Sequence, residues 1–369
     1  MSGAGALRVA MVAARALPLM GGIETHVHEV SVRLAASGVD LTLLTTDTSG
    51  ELPTAETVSG YRVRRWPAYP RSRDYYLSPG LIQHLLGAHG DYDVVHMQGV
   101  HTLVAPAALA AAKRARIPSV LTFHTGGHSS GLREKLRPLQ WKLLGPPLRS
   151  AAALVAVCDY ERTIFAQALG IPAATIRLIR NGCEPLPVDP TAPAVGGSPL
   201  LVSIGRFEEY KGHQRILQAM PEILSTAPEA MLALIGRGPY EGTLRNMAHE
   251  LGIGDRVLIR GFGPNERGGL GKVVSDADVV CLLSAYEAHP VAVMEAIGTG
   301  AKALVAATSG LSELGEAGLA TTIALDASPT EIAAAALAVA AAPHTPTPAL
   351  PTWDDCAASL LQLYREVAR

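Results

Sequence analysis

Two hydrophobic patterns take turns along this chain. Short apolar runs ("LRVAMVA", "LTLLTT", "DVVHMQ", "SVLTFH", "ALVAVC" and "TIRLIRNG") have the length and branched content of buried strands. Between them lie longer stretches such as "GGIETHVHEVSVRLAASG" and "LVAPAALAAAKRAR", whose apolar positions recur at helical spacing. A second series repeats the scheme: "LLVSIG", helical "GHQRILQAMPEILST", "MLALIG", helical "YEGTLRNMAHELG", "RVLIRG", "VVCLLS", helical "VAVMEAIGTG" and "ALVAA". This alternation predicts an α/β protein with parallel sheets, built as two Rossmann-like halves. Residues 185–199, "PLPVDPTAPAVGGSP", are rich in Pro and Gly without any period and read as a linker. "EIAAAALAVAAAP" reads as a packed helix. A second Pro-rich break, "PHTPTPALP", precedes a last helix from about Asp354 to Arg369.

A length of 369 residues exceeds one comfortable core, so two domains are expected, over 1–185 and 186–350, with the final helix at 353–369. Mean hydropathy is positive, so a large core is available. The net charge of −2 points to no nucleic-acid partner. The halves differ, however. Residues 1–185 carry 19 Lys/Arg against 13 Asp/Glu, a net +6, and the remainder carries 12 against 20, a net −8. That asymmetry would steer an anion toward the first half. Four widely spaced cysteines (Cys158, Cys183, Cys281, Cys356) form no CxxC and read as reduced thiols of a cytoplasmic protein. Arg8 and Arg15 interrupt any signal-like apolar core, and no run of about 18 apolar residues suggests a membrane span.

Chemistry is concentrated where strands hand over to helices. In "EAHPVAVMEA", Pro290 belongs to the first turn of a helix, because there its missing N–H needs no partner. Glu287 then lies in a loop after the strand "VVCLL", and Glu295 on the helix from Val291 onward. Open α/β sheets bind ligands at such strand ends, so both carboxylates face one crevice. "SIGRFEEYKGHQ" places Gly205, Arg206 and Lys211 at another strand end and helix start, where two cations and free backbone N–H groups suit a diphosphate. Gly21 and Gly22 repeat this logic in the first half and would let backbone approach a phosphate. "LIGRGPYEG", with Gly236, is akin to a dinucleotide fingerprint, but its GxGxxxG spacing and mid-chain position set it apart. The DxD pairs Asp91/Asp93 and Asp276/Asp278 invite a metal reading. Both precede their strands, opposite the expected crevice, and so read as polar strand starts. The histidines of "HVH" and "HTGGH" lack a third ligand at zinc spacing. His124 ends a strand and points toward the crevice.

Taken in order, "GGIETHVHEV", "LIRNGCE", "SIGRFEEYKGHQRIL", "LIGRGPYEGTL" and "SAYEAHPVAVMEA" with "SGLSEL" closely resemble the retaining GT-B glycosyltransferases of the glycogen-synthase-like group, family 4, over nearly the whole chain. The resemblance implies a GT-B fold: two Rossmann-like, doubly wound domains facing a central cleft, with the acceptor on the first domain, the nucleotide sugar on the second, and the last helix crossing back. By that resemblance Arg206 and Lys211 contact the donor diphosphate and Glu295 the ribose. Glu287 and His124 lie near the transferred sugar. Gly21, Gly22, Gly205, Gly236, His289 and Val291 complete the donor site. Ala288-His289-Pro290 replaces a more usual Gly-Phe-Gly/Pro, and Pro290 supplies no N–H, which leaves the sugar open. Cys158 stands where Ser is common, Glu184 where Asp is common, and Lys302-Ala303-Leu304 where Pro-Val-Val is usual.

The implied reaction is transfer of a hexose or N-acetylhexosamine from a nucleotide sugar, UDP-linked, to an acceptor hydroxyl. The reaction needs no metal or other cofactor, and bacterial natural-product or cell-envelope glycosylation fits it. Two alternatives stay open: a GT-B-fold nucleotide-sugar 2-epimerase, and a non-catalytic sugar-nucleotide-binding subunit. Two basic, aromatic stretches (residues 61–76 and 131–149) would serve a polar acceptor or an anionic membrane surface. Pro138, Pro146 and Pro147 cut the second too short for an amphipathic helix, which favours a small soluble acceptor over peripheral membrane contact.

Overall fold

The computed structural model describes residues 6–19, 21–71, 76–100, 102–124, 144–344 and 349–369. Most of the second basic stretch, His128 of "HTGGH" and part of the last Pro-rich break lie outside the described residues. The chain divides into two compact units: one takes in the described residues up to Gly182 together with Pro351–Arg369, the other Cys183–Leu350.

The first unit is built on strands β1 (Arg8–Ala13), β2 (Asp40–Asp47), β3 (Ala55–Val58), β4 (Tyr61–Pro67), β5 (Val94–Gln98), β6 (Ser119–Thr122), β7 (Ala153–Ala156) and β8 (Ile176–Leu178). Their order is β3-β4-β2-β1-β5-β6-β7-β8, parallel except for the β3–β4 hairpin. Helices α1 (Gly22–Ala36), α2 (Pro79–Gly87), α3 (Val104–Arg114) and α4 (Asp159–Leu169) accompany it. β1, β2 and β5 are buried almost throughout, as a parallel sheet covered on both faces requires. The hairpin departs from the sequence reading. Residues 61–67 of the first basic stretch form β4, in which Tyr61, Val63 and Arg65 face inward and Arg62 and Arg64 outward. Ser59 and Gly60, both at positive φ, make its tight turn. Arg65 is buried and held by Glu56 at 2.5 Å and by the carbonyls of Pro53 and Leu17.

The second unit contains β9 (Leu200–Ile204), β10 (Met231–Ile235), β11 (Val257–Arg260), β12 (Val279–Leu282), β13 (Ala303–Ala306) and β14 (Thr321–Ile323), with helices α5 (His213–Thr226), α6 (Glu241–Glu250), α7 (Arg267–Ser275), α8 (Val291–Gly298), α9 (Ser309–Glu316) and α10 (Pro329–Ala341). The all-parallel order β11-β10-β9-β12-β13-β14 is the doubly wound Rossmann order, with its reversal between β9 and β12. Alternate residues serve opposite faces: Val279 and Cys281 join one core layer, Val280 the other.

The Pro-rich stretch read as a linker is instead a strap on this unit. Leu186 is buried, Asp189 N donates to Gly268 O at 3.0 Å, and a Cβ at Gly271 would lie 2.0 Å from Pro187 O. Glycines therefore recur in α7 because the strap runs against its backbone. The chain passes between units at Gly182/Cys183 and Leu350/Pro351. These passages touch: a Cβ on Gly182 would come within 2.2 Å of Trp353 N. The last helix, α11 (Trp353–Val367), packs on α1 in the first unit. There Tyr364 Oη meets His96 Nδ1 at 2.6 Å, and Arg33 pairs with Asp354 at 2.7 Å.

Candidate active site

The reversal between β9 and β12 leaves a crevice at the carboxyl ends of these strands, and the turns that follow them supply its side chains. Gly212, at φ +75°, separates Lys211 from the start of α5, and a Cβ there would sit 2.0 Å from Leu283 O. Only glycine allows this turn to lie against the end of β12. The backbones are joined as well, Ala285 N donating to Tyr210 O at 2.7 Å.

This contact brings Lys211 Nζ to 2.6 Å from Glu287 Oε1, although the two are 76 residues apart. Their side chains are 18% and 11% exposed, so the pair is largely desolvated. Burial opposes the Lys211 charge, but Glu287, with the nearby Tyr210, outweighs it and holds the ammonium above its ordinary pKa. Ser284 Oγ lies 2.9 Å from Glu287 Oε1 and 3.1 Å from Lys211 O. The Glu287 backbone is clamped too. Its N–H donates to Ser309 Oγ at 2.9 Å, and its carbonyl accepts from Gly310 N at 2.9 Å. A Cβ at Gly310 would strike Ala288 O at 1.6 Å.

Arg206 is half exposed, with its guanidinium 3.1 Å from Glu208. Glu295 is 13% exposed and bonded to Arg267 at 2.8 Å. His289 and Val291 are buried at the start of α8. Gly236 has a packing reason to be glycine: a Cβ there would lie 1.9 Å from Gly205 O. Gly238 abuts Phe207 O in the same way, whereas Gly242 faces open space. The glycines of "GRGPYEG" therefore let the β9 and β10 turns touch, and the third has no such role.

Models of two families match the chain in succession: Glycosyltransferase Family 4 over residues 20–185 and Glycosyl transferases group 1 over residues 190–345. D-inositol 3-phosphate glycosyltransferase of Xylanimonas cellulosilytica is 30% identical over 345 residues, covering 82% of this chain and 81% of that one. The chain is a family 4 glycosyltransferase. A GDP-mannose-dependent alpha-(1-6)-phosphatidylinositol monomannoside mannosyltransferase of Mycobacterium tuberculosis is 28% identical over 271 residues, 69% of this chain and 67% of that. Anabaena HepE, solved with UDP and glucose, superposes with a TM-score of 0.72 at 16% identity, covering 98% of this chain and all of that one. That likeness establishes the GT-B fold.

In the first unit of this glycosyltransferase, the other predicted residues lie at the carboxyl edge of their own sheet. Gly21 precedes α1 in extended conformation, and Gly22 opens it with nothing within 4 Å of a built Cβ. Neither torsion nor packing requires glycine at position 22. His124 follows β6 at φ +46°, buried, with Nε2 2.7 Å from Gln98 Oε1 and its ring 4.4 Å from that of His26. His26 in turn meets Asn181 at 2.9 Å, and burial pushes its pKa down to about 4.

The DxD aspartates lie at strand starts, at the other edge. Asp93 is bonded to Arg8 at 2.6 Å, and Asp278 accepts from Leu200 N at 2.7 Å. No three His, Cys, Asp or Glu side chains converge on a metal-sized site among the described residues. Cys158 serves as N-cap of α4, accepting from Glu161 N. Sequence reading missed Ser284, Ser309, Gly310 and Arg267. The serines and Gly310 belong to "LLSAY" and "SGLSEL", stretches with the polar or small residues typical of strand ends and helix starts, a signal shared by many ordinary turns.

Proposed function

We propose that this glycosyltransferase is a retaining, metal-independent enzyme. It moves a hexose or N-acetylhexosamine from a nucleotide sugar, UDP-linked, to the hydroxyl of a small acceptor. The Lys211–Glu287 pair beside Arg206, at the strand ends of a doubly wound sheet, carries this reading. Lys211 has three N–H donors and gives one to Glu287, which leaves two for diphosphate oxygens. As the glycosidic bond breaks, charge grows on the leaving diphosphate. Arg206, Lys211 and the N–H groups opening α5 stabilise that charge, in the role a metal plays elsewhere.

Glu287, fixed through both its backbone and its carboxylate, faces the sugar. Glu295, oriented by Arg267, receives the ribose hydroxyls. Gly205, Gly236, His289 and Val291 line the donor side. The acceptor hydroxyl attacks the face the diphosphate leaves, and the departing phosphate takes its proton. A GDP-mannose enzyme among the relatives and UDP in a structural neighbour make the base a matter for direct test.

Thermal shift with UDP-, GDP- and ADP-sugars identifies the donor, because ligand binding raises the unfolding temperature by mass action. Turnover of that donor is then followed by NMR with and without chelator. A product of retained anomeric configuration, formed equally in chelator, is expected. An inverted product, or activity that chelator abolishes and Mg²⁺ restores, overturns the proposal.

A further inference from the structure

We propose that His213 is a positioning residue that holds the Arg206 turn in the shape that receives a diphosphate. The proposal rests on the reading of Arg206 given above.

His213 opens α5, two residues beyond Lys211, and is fully buried. Its Nε2 lies 3.3 Å from the backbone oxygen of Arg206, and its Nδ1 2.9 Å from Ser203 Oγ. A carbonyl can only accept, so Nε2 carries the hydrogen. Nδ1 is then bare, and the Ser203 hydroxyl donates to it. One neutral tautomer satisfies both nitrogens. Burial lowers the pKa of His213 to about 4, so this tautomer persists at neutral pH. The ring also stands edge-on to Phe207, with centroids 5.1 Å apart at 89°. A single side chain thus grips the end of β9 at Ser203, the turn at the Arg206 carbonyl, and the ring of Phe207 just beyond. At Gly205, between them, a built Cβ would lie 3.5 Å from Nε2.

The Arg206 guanidinium, by contrast, stays half exposed. Its backbone is fixed while its side chain reaches outward. The ring that fixes it belongs to the helix start following Lys211, so the two cations are set against each other through one imidazole. Packing alone does not call for histidine here. A phenylalanine would fill the same space without two polar atoms that need partners. The hydrogen bonds to the turn are what distinguish the residue.

A mutant cycle tests this on the full chain. UDP, GDP and ADP, each paired with its nucleoside, are titrated calorimetrically into wild type, H213F, R206A and R206A/H213F. For the nucleotide that wild type binds, H213F is expected to weaken affinity about tenfold. Nucleoside affinity should stay within about twofold. In the R206A background H213F should add almost nothing, because a residue acting through Arg206 has no effect once that side chain is gone. S203A removes only the hydroxyl at Nδ1 and gives a milder variant with the same non-additive pattern, should H213F fold poorly. H213Q, whose amide can still donate to the Arg206 carbonyl, should recover part of the loss. Equal weakening of nucleoside and nucleotide, or full additivity with R206A, would overturn the positioning role. Undiminished nucleotide binding by R206A alone would remove the diphosphate reading on which it rests.

Discussion

In the sequence Lys211 is one of two cations at a helix start, a place that by itself contributes little to folding. The structure changes that expectation, because its ammonium is buried against Glu287. K211A strands a buried carboxylate and should lower stability by roughly 3–5 kcal/mol. It should also cut turnover about 10²- to 10³-fold, as loss of a charge-stabilising donor does. The double variant K211A/E287Q removes the orphan charge. It should recover most of the unfolding temperature while remaining as inactive, which paired thermal melts and assays would reveal. E295Q tests the other carboxylate. By the proposed function it weakens two charge-assisted hydrogen bonds to ribose, and nucleotide affinity measured by calorimetry should fall tenfold or more, at about 1.5–3 kcal/mol per such bond. At this scale the charged residues were legible, because carboxylates and cations at strand–helix boundaries stand out in a hydrophobic chain. Their partners were not. Ser284, Ser309 and Arg267 acquire meaning only when the fold places them beside residues distant in sequence, and His213 only when the turn after β9 folds back over it.

Among the elements, long apolar runs announced themselves and short amphipathic ones did not. β1, β5, β9, β10 and β12 are buried on both faces and were readable as continuous hydrophobic stretches. β4 escaped because its outward arginines make it look like a basic loop, and α7 because its glycines argue against helix until the strap against them is known. Glycines therefore provide a sharp test. Gly212 combines positive φ with backbone contact, so G212A should cost at least about 1–2 kcal/mol from torsion alone, and more from the clash with Leu283 O. Loss of soluble, folded protein is the expected readout. Gly242 sits in the first turn of α6 with open space around it. G242A should stabilise by up to about 1 kcal/mol and raise the melting temperature by roughly 2–4 °C. The melt of G242A also tests the last glycine of "GRGPYEG", which a dinucleotide fingerprint would require and this packing does not.

At the scale of the whole molecule, acid should weaken the two units unequally. Burial lowers His26 to about 4 and His96 to about 3 in the first unit, and His213 to about 4 in the second. A histidine with a depressed folded value stabilises fully above its unfolded pKa of about 6.5, and that contribution drains away as pH falls toward the folded value. On unfolding, the first unit therefore takes up at these residues about one proton at pH 6.5, rising to about two at pH 5, and the second unit about half as many. Each costs up to about 1.4 kcal/mol per pH unit. Hydrogen exchange on the full chain, corrected for intrinsic rates, should show β1 and β5 losing protection faster than β9 and β12 on acidification. The charge asymmetry read from sequence pointed an anion to the first half, yet Arg206 and Lys211 sit on the net-negative second unit. By the proposed function, local clustering at strand ends outweighs a sum over the chain. The contact of Gly182 with Trp353 reaches further still. Residues 183–350 form one uninterrupted cassette, and its two breakpoints are already neighbours in the unit that hosts it. Gene exchange could replace that cassette as a block and splice in a new one without rethreading a single strand of its host.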